Sequence, residues 1–265
     1  MLLYGKNAVI YGGGGAVGGA LARVFAREGA SVFVAGRTAG ALEQVRNDIR
    51  REGGAAFAAV VDAMDEQAVT DHADAVAEEA GRIDVVVNAV GVPHVQGAML
   101  HELTPEEFLH PLLAYTRSTF LTTRATTRHM VRVGSGVVLT ISTPGARLAV
   151  PGTLGNAAAS AAIEAMTRTL AAELGPAGVR VVCLRPDVIP EALVTSHVGR
   201  IFESVAARTG TTAETLVSER ARSGTLLGRF PTLKQVADYA AFAASDRAGA
   251  LTGAIANLSS GSLVD

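Results

Sequence analysis

A glycine-rich turn, YGGGGAVGG at 11–19, follows a short apolar run and precedes a segment of helical periodicity. Glycines at Gly12 and Gly18 would let the backbone turn sharply and come close to a charged group. The free N–H groups and the dipole at the start of the following helix favour a phosphate at that point. A strand before the turn and a helix after it therefore predict a pyrophosphate-binding site for a dinucleotide.

Arg37 and Thr38 follow the second apolar β-type run, about twenty residues beyond the glycine turn. A site that prefers NAD usually carries Asp or Glu at this place, where the carboxylate binds the ribose hydroxyls. A guanidinium instead matches a 2′-phosphate in charge and in fork geometry. The sequence therefore favours NADP(H) over NAD(H) as the cofactor.

Other common site chemistries are not predicted. The six histidines show no pair at metal-ligand spacing with a carboxylate motif, so no metal site is expected. Cys183 is the only cysteine and cannot form an intrachain disulfide or a cysteine-based metal site. This cysteine usage points to a reducing compartment.

The elements that must position these residues alternate regularly between β-rich apolar runs and Ala-rich helical segments. Strands are predicted at 8–11, 31–35, 55–61, 85–88, 136–141, 179–184 and 254–258. Helices are predicted at 17–28, 39–52, 66–80, 105–131, 156–174 and 233–245. This order predicts an α/β fold with a doubly wound, seven-stranded parallel sheet of Rossmann type and helices on both faces. We expect one domain over 1–265, with the irregular segment 186–229 as a substrate lid.

Composition excludes several classes of protein. Hydrophobic residues make up 49% of the chain and charged residues 18%, which is enough apolar content for a large core. The 23 Lys and Arg residues nearly balance the 25 Asp and Glu residues, for a net charge of −2, so no nucleic-acid partner is expected. No apolar run is long enough to span a membrane, and the first residues do not form a secretory signal. The expected location is the cytoplasm.

Several further segments occur in an order that resembles the short-chain dehydrogenase/reductase superfamily over essentially the whole chain. They are VVDAMD at 60–65, GRIDVVVNAVG at 81–91 and the C-terminal stretch GRFPTLKQ…LSSG at 228–261. The resemblance implies an NADP(H)-binding oxidoreductase fold with a small-molecule substrate. Within its TGxxxGxG turn, Tyr11 replaces the Thr and Ala16 replaces the middle Gly. Asp62 falls where the family's Asp contacts the adenine amino group. The implied cofactor site comprises Gly12, Gly14, Gly15, Ala16, Val17, Gly18, Arg37, Thr38, Asp62, Ala63, Asn88, Ala89, Gly91, Pro186 and Ile189.

The catalytic positions implied by the resemblance carry different residues. The phrase MTRTLAAEL at 166–174 fixes the register, and counting back puts Asn156 at the tyrosine and Ser160 at the lysine of the family's YxxxK pair. The family's catalytic serine falls at Thr143, and its asparagine on the preceding long helix falls at Tyr115. The PGxIxT motif beside the nicotinamide reads PDVIPE, with Asp187 for Gly and Glu191 for Thr.

These replacements bear directly on chemistry. Carbonyl reduction needs a proton donor at the developing alkoxide, and a tyrosine serves only when a nearby cation lowers its pKa from about 10. Asn156 cannot act as a general acid at neutral pH, and Ser160 carries no charge. The loss of a positioned acid costs on the order of 10² to 10⁴ in rate. The family's standard mechanism is therefore not expected.

Two classes of function stay open at this point. One is an enzyme: a reductase with a displaced acid, or a lyase, isomerase or cyclase in which His94 and Glu191 perform acid–base chemistry. Tyr115 could supply the acid only if its pKa were lowered. The other is a catalytically silent dinucleotide-binding sensor or partner subunit. The resemblance also implies a homodimer or homotetramer assembled through the helices at 105–131 and 156–174.

Overall fold

The computed structural model describes residues 1–264, with Thr195 described by its backbone alone. The strands are β1 (Asn7–Tyr11), β2 (Ser31–Gly36), β3 (Ala55–Val60), β4 (Val85–Asn88), β5 (Gly136–Ile141), β6 (Val179–Pro186) and β7 (Ala254–Leu258). The helices are α1 (Ala16–Arg27), α2 (Ala39–Arg51), α3 (Glu66–Ala80), α4 (Pro105–Val133), α5 (Leu154–Leu174), α6 (Pro190–Thr195), α7 (Val198–Thr209), α8 (Ala213–Gly224) and α9 (Leu233–Ala244).

The strands form one parallel sheet in the order β3-β2-β1-β4-β5-β6-β7. The chain winds outward from β1 to β3, crosses back to β4 beside β1, and then continues to β7. This is the doubly wound arrangement, so the predicted fold class is confirmed. The crossover leaves a crevice between the β1 and β4 carboxyl ends, where ligands bind in such sheets.

Each strand buries alternate side chains on opposite faces of the sheet, since successive Cβ atoms point to opposite sides. Ile10 and Val34 pack in one core with residues of α1, α2 and α9. Val9 and Phe33 pack in the other core with residues of α3, α4 and α5. Covering both faces explains why the strands read as nearly continuous apolar runs.

Capping residues mark both ends of the long helix α4. Thr104 and Glu107 form a capping box at its start, and Gly134 adopts a left-handed conformation (φ 69°) at its end. The buried hydroxyls of Thr122, Thr126 and Thr127 on α4 donate to backbone carbonyls one turn earlier, which satisfies them inside the core. This helix thus presents a polar but hydrogen-bonded face beside β4.

The predicted strands and helices differ from the observed ones by at most two residues at any end. The segment 186–229, predicted as irregular, instead contains the three helices α6, α7 and α8. The short helical patterns in this segment do form helices. At the start of α8, the Thr212 hydroxyl caps the helix by accepting a hydrogen bond from the N–H of Thr215. No helix in the described part of the chain is long and apolar enough to cross a membrane.

Candidate functional site

A cleft of about 470 Å³ lies at the carboxyl ends of the strands. Its walls come from the loops after β1 to β6 and from α6, α7 and α8. Of the residues predicted for the cofactor site, all but Gly18 line this cleft. Gly18 is buried on α1, directly behind the turn.

The turn between β1 and α1 has a conformation that requires glycine. Gly12 has φ +80°, and a Cβ atom there would lie 2.3 Å from the carbonyl oxygen of Ala89. A Cβ atom on Gly18 would lie 2.3 Å from the carbonyl oxygen of Gly12. The N–H groups of Gly12 and Gly13 both donate to the carbonyl of Ala35, which ties the turn to β2. The turn is therefore held close to both neighbouring strands.

The first turn of α1 faces the cleft with its N–H groups. Gly15 is the N-cap residue, no side chain caps the helix, and no acidic residue lies in its first turn. The helix start therefore keeps its partial positive charge for a ligand. These features fit the pyrophosphate of a dinucleotide.

The far end of the cleft is built by the residues that follow β2 and β3. Arg37 and Thr38 are exposed and line the cleft, and none of the ion pairs within residues 1–264 involves Arg37. Asp62 is also exposed, and its Oδ1 accepts a hydrogen bond from the N–H of Met64 at 3.0 Å. A ligand in the cleft thus meets a guanidinium beside a carboxylate at this end.

Asn88 ends β4 and shapes the next wall of the cleft. Its Nδ2 donates to Thr122 Oγ1 on α4 at 3.1 Å, and its Oδ1 accepts from the N–H of Val90 at 3.2 Å. The N–H of Ala89 donates to the carbonyl of Tyr11 at 2.8 Å. These bonds fix the loop that carries Ala89 and Gly91 against the glycine turn.

Thr143, Asn156 and Ser160 are brought together, as their alignment with a catalytic set implies. Asn156 Nδ2 donates to Thr143 Oγ1 at 3.3 Å, and Thr143 Oγ1 and Ser160 Oγ share a hydrogen bond of 2.9 Å. All three line the cleft. The set contains two hydroxyls and one amide, so it can orient a ligand oxygen but holds no readily transferred proton.

Tyr115 and His94 lie next to each other on another part of the wall, with ring centroids 6.1 Å apart in an edge-to-face contact. Burial raises the pKa of the Tyr115 phenol, and a backbone hydrogen bond at Val92 offsets only part of this. An acid for carbonyl reduction needs the opposite shift. Tyr115 therefore lacks the lowered pKa that an acid for carbonyl reduction needs.

His94 is held as a neutral imidazole. Its Nδ1 lies 2.9 Å from the carbonyl oxygen of Val92, which fixes the proton on Nδ1, and its Nε2 lies 2.9 Å from Gln96 Nε2 as an acceptor. Burial lowers the pKa of His94, and the charge of His110 acts in the same direction, while the Val92 carbonyl opposes them. At neutral pH His94 is therefore equipped to accept a proton and not to donate one.

Glu191, the other residue suggested for acid–base chemistry, does not join this group. It lies in the first turn of α6 with an exposed side chain and is not among the described residues that line the cleft. The pairing of His94 with Glu191 is thus not supported by their positions.

His197 is a cleft residue that the sequence reasoning missed. It lies between α6 and α7, and its Cε1 would be 2.6 Å from a Cβ atom on Gly91. Burial lowers the pKa of His197, and the charge of Arg200, with that of His94 when it is protonated, acts in the same direction. No spacing in the sequence signals that this histidine meets Gly91, because the two are joined only by the fold.

A buried ion pair lies beneath the Thr143 set. Arg185 on β6 binds Glu164 on α5 in a bidentate manner, with distances of 2.6 Å and 2.9 Å, and Glu164 Oε1 also accepts from Ser142 Oγ at 3.0 Å. Ser142 directly precedes Thr143 in the chain. The pair therefore helps to fix the backbone that carries the Thr143 hydroxyl.

Asp187, which replaces the glycine of the PGxIxT motif, has its negative charge paired with a neighbouring arginine. Its Oδ1 lies 3.0 Å from Arg220 Nη2, and it also accepts hydrogen bonds from the N–H of Val188 and the hydroxyl of Ser262.

No group of three or more potential metal ligands occurs in residues 1–264.

Comparison with known proteins identifies the class of this cleft. A family model described as enoyl-(acyl carrier protein) reductase matches residues 14–262. Short-chain reductase protein NovJ of Streptomyces niveus is 34% identical over 254 residues, which cover 96% of this chain and 92% of the relative. D-threitol dehydrogenase of Mycolicibacterium smegmatis is 29% identical, over 95% of this chain and 90% of its own.

Solved structures agree with these relatives. The complex of 7α-hydroxysteroid dehydrogenase with NADH and 7-oxoglycochenodeoxycholic acid superposes with a TM-score of 0.85 at 27% identity, over 98% of this chain and 94% of that chain. NAD⁺-bound xylitol dehydrogenase has a TM-score of 0.88 at 23% identity over 97% of this chain and 98% of that chain, which shows the shared fold. The chain belongs to the short-chain dehydrogenase/reductase superfamily, and the resemblance in its sequence is confirmed.

Proposed function

We propose that this protein binds NADP(H) in the cleft and does not reduce simple ketones by the tyrosine–lysine route of its family. The observation that carries the proposal is the hydrogen-bonded set of Asn156, Thr143 and Ser160. This set retains the contact between the residues aligned with the family's serine and tyrosine. It lacks both the ionisable hydroxyl and the cation that would activate it.

Binding of a dinucleotide is supported by the fit of the glycine turn. Gly12 and Gly18 admit a close backbone approach, and the uncapped start of α1 favours an anionic group. The related 7α-hydroxysteroid dehydrogenase structure contains NADH. When bound, the nicotinamide supplies hydride chemistry, and the Thr143 hydroxyl and Asn156 amide would orient an oxygen of the ligand.

A preference for NADP(H) is supported by Arg37. This guanidinium is exposed beside the cleft, and it stands where an NAD-specific relative would place a carboxylate. A bidentate pair between Arg37 and a 2′-phosphate is of the charge-assisted kind, which is stronger than a neutral hydrogen bond.

Calorimetric titration with NADP⁺ and NAD⁺ tests the cofactor assignment. Native protein should bind NADP⁺ more tightly than NAD⁺, and Arg37→Gln should weaken NADP⁺ binding at least tenfold, about 1.4 kcal/mol, while changing NAD⁺ binding little. Arg132→Gln, which removes an exposed arginine near the end of α4, is the matched control and should change neither affinity. Equal affinities of the native protein for the two cofactors would refute the preference.

A screen of ketones with NADPH tests the catalytic half of the proposal. Because no activated acid is present in the Asn156 set, turnover should stay far below the roughly 1 s⁻¹ at the low end of ordinary enzymes. A turnover above that value, abolished by Tyr115→Phe or His94→Phe but unaffected by Asn156→Ala, would contradict the proposal and show that the acid has moved.

One observation favours a second candidate, a lyase, isomerase or cyclase that transfers protons without hydride. His94 is a neutral imidazole whose Nε2 carries the lone pair that a general base uses, and a substrate proton would take the place of the Gln96 amide that now occupies it. Such activity would appear by NMR in D₂O as exchange of a proton next to a carbonyl, and His94→Phe would abolish it. A protein that binds NADP(H) but shows neither activity is a dinucleotide-binding sensor or a partner subunit.

A further inference from the structure

Arg220 stands out among the cleft residues because neither the phosphate assignments nor the Thr143 set uses it. It lies on α8 and lines the cleft together with Asp187. The geometry points to Arg220 as an anchor for the carboxylate group of an apolar organic acid bound in the cleft. This inference rests on the proposed function, since the acid would share the cleft with the dinucleotide.

The Arg220 side chain is held from two sides. Its Nη2 lies 3.0 Å from Asp187 Oδ1, and its guanidinium carbon lies 5.8 Å from the centre of the buried Phe230 ring. An arginine stacked on an aromatic ring and tied at one nitrogen has already lost much of its conformational freedom. Binding a ligand to it therefore costs little further entropy.

Asp187 does not use up the hydrogen-bonding capacity of this guanidinium. An arginine carries five N–H donors, and only Nη2 of Arg220 has a hydrogen-bond partner in the described part of the chain. The Asp187 carboxylate, whose side chain is 3% exposed, also receives the N–H of Val188 and the hydroxyl of Ser262. Its charge is therefore shared among three donors, and the Nε and Nη1 groups of Arg220 remain for a second carboxylate.

The surroundings of Arg220 indicate what kind of acid would fit. The wall of the same cleft from the end of β6 to α7 is mostly apolar, and it is formed by Val188, Ile189, Ala192, Val198, Ile201 and Phe202 together with Ser196 and His197. Burial lowers the pKa of the nearby His94 and His197, so these imidazoles are neutral at pH 7 and do not compete for the anion. A ligand with an apolar body and one carboxylate satisfies both the wall and the guanidinium.

The pair of Asp187 and Arg220 departs from the PGxIxT motif of the family. Asp187 occupies the place of the glycine in the PGxIxT motif, so a glycine there would leave Arg220 without this carboxylate partner. The pair of Asp187 and Arg220 brings α8 to the end of β6, beside the nicotinamide side of the cleft. A substrate carboxylate anchored there would share the cleft with the Thr143 set.

The test uses hexanoate as the probe and hexanamide as its neutral counterpart, titrated by calorimetry into the native protein with and without saturating NADP⁺. Hexanoate should bind at least tenfold more tightly than hexanamide. Arg220→Met, which keeps an apolar chain against Phe230, should weaken hexanoate binding at least tenfold. Arg222→Met removes an exposed arginine two residues further along α8 and should leave hexanoate binding unchanged.

A second variant gives a result that does not depend on how well Arg220→Met folds. Asp187→Asn removes the competing carboxylate while keeping a hydrogen-bonding side chain, so it should strengthen hexanoate binding severalfold. The inference is overturned if hexanoate does not bind the native protein, if hexanamide binds equally well, or if Asp187→Asn fails to strengthen binding. Failure of NADP⁺ to bind would refute the proposed function separately, because the hexanoate titration is also made without it.

Discussion

Removing one partner of the buried pair Glu164–Arg185 is expected to destabilise the fold more than removing both. The two side chains are 5% and 2% exposed and are joined by two short hydrogen bonds. Glu164→Gln leaves the guanidinium buried without that carboxylate, at a cost of about 3–5 kcal/mol. Arg185→Met leaves a buried carboxylate whose remaining donor is the Ser142 hydroxyl, and a similar cost is expected.

The double variant Glu164→Gln with Arg185→Met removes both charges at once. The glutamine amide oxygen can still accept from Ser142, and methionine fills much of the volume of the arginine stem. The expected loss is about 1–2 kcal/mol, from imperfect packing and one weakened hydrogen bond. Independent single costs would instead add up to about 6–10 kcal/mol, so the double-mutant cycle should show a coupling of several kcal/mol.

Equilibrium unfolding in urea, followed by far-ultraviolet circular dichroism at a fixed protein concentration, measures these differences. Asp238→Asn is the control, because it breaks an exposed pair with Lys234 on α9 and should change the unfolding midpoint little. The reasoning fails if the double variant is as unstable as the summed single variants, or if both single variants lose less than about 1 kcal/mol.

Three further outcomes are expected. Asn156→Tyr with Ser160→Lys should restore some NADPH-dependent ketone reduction, measured by NADPH oxidation, whereas each single change should not, because the phenol and the cation act together. Leu113 and Phe120 are 57% and 50% exposed on α4, so the native protein should be a homodimer or homotetramer by light scattering, and replacing either residue by Arg should shift it toward monomer. Burial lowers the pKa of His72 from 6.5 to about 4, so the unfolded chain takes up a proton that the native protein does not. Stability should therefore fall by up to about 3 kcal/mol as pH falls from 6.5 toward 4, and urea midpoints of His72→Gln should fall less.

The half of the cleft around the glycine turn was predictable because its signals are local. A glycine turn between a strand and a helix implies both the backbone geometry and the charge at the helix start, and both recur in the structure at Gly12 and in α1. Arg37 and Asp62 follow strands whose order in the sheet is implied by the alternating pattern. Their placement on one edge of a parallel sheet follows from that order.

For the other half of the cleft, the sequence predicted which positions would lie there but not the contacts that their side chains make. Thr143, Asn156 and Ser160 lie on β5's following loop and on α5, and their mutual contacts follow from the fold. Arg220 and His197 were missed because α6, α7 and α8 show short, interrupted patterns, and nothing in the sequence gives the direction in which they return over the sheet. Contacts between segments far apart in the chain require the tertiary structure.

Glu164 and Arg185 show why the charge of a residue does not by itself predict whether the residue is exposed. A glutamate in a helix and an arginine next to a proline are most simply interpreted as exposed residues, because isolated charges are costly to bury. The structure buries both because adjacent α5 and β6 place them opposite each other. Burial of a charged residue thus depends on a partner that only the topology supplies.

The cleft wall around Thr143 is held together by its own hydrogen bonds. Within residues 1–264, the buried side-chain atoms without a hydrogen-bond partner are Arg82 Nε and Asn257 Oδ1, and neither residue lines the cleft. Thr143, by contrast, is bonded to both residues that replace the catalytic pair. We therefore expect the cleft to serve a ligand other than a simple ketone, and the carboxylate anchor proposed at Arg220 is the most direct place to begin the search for that ligand.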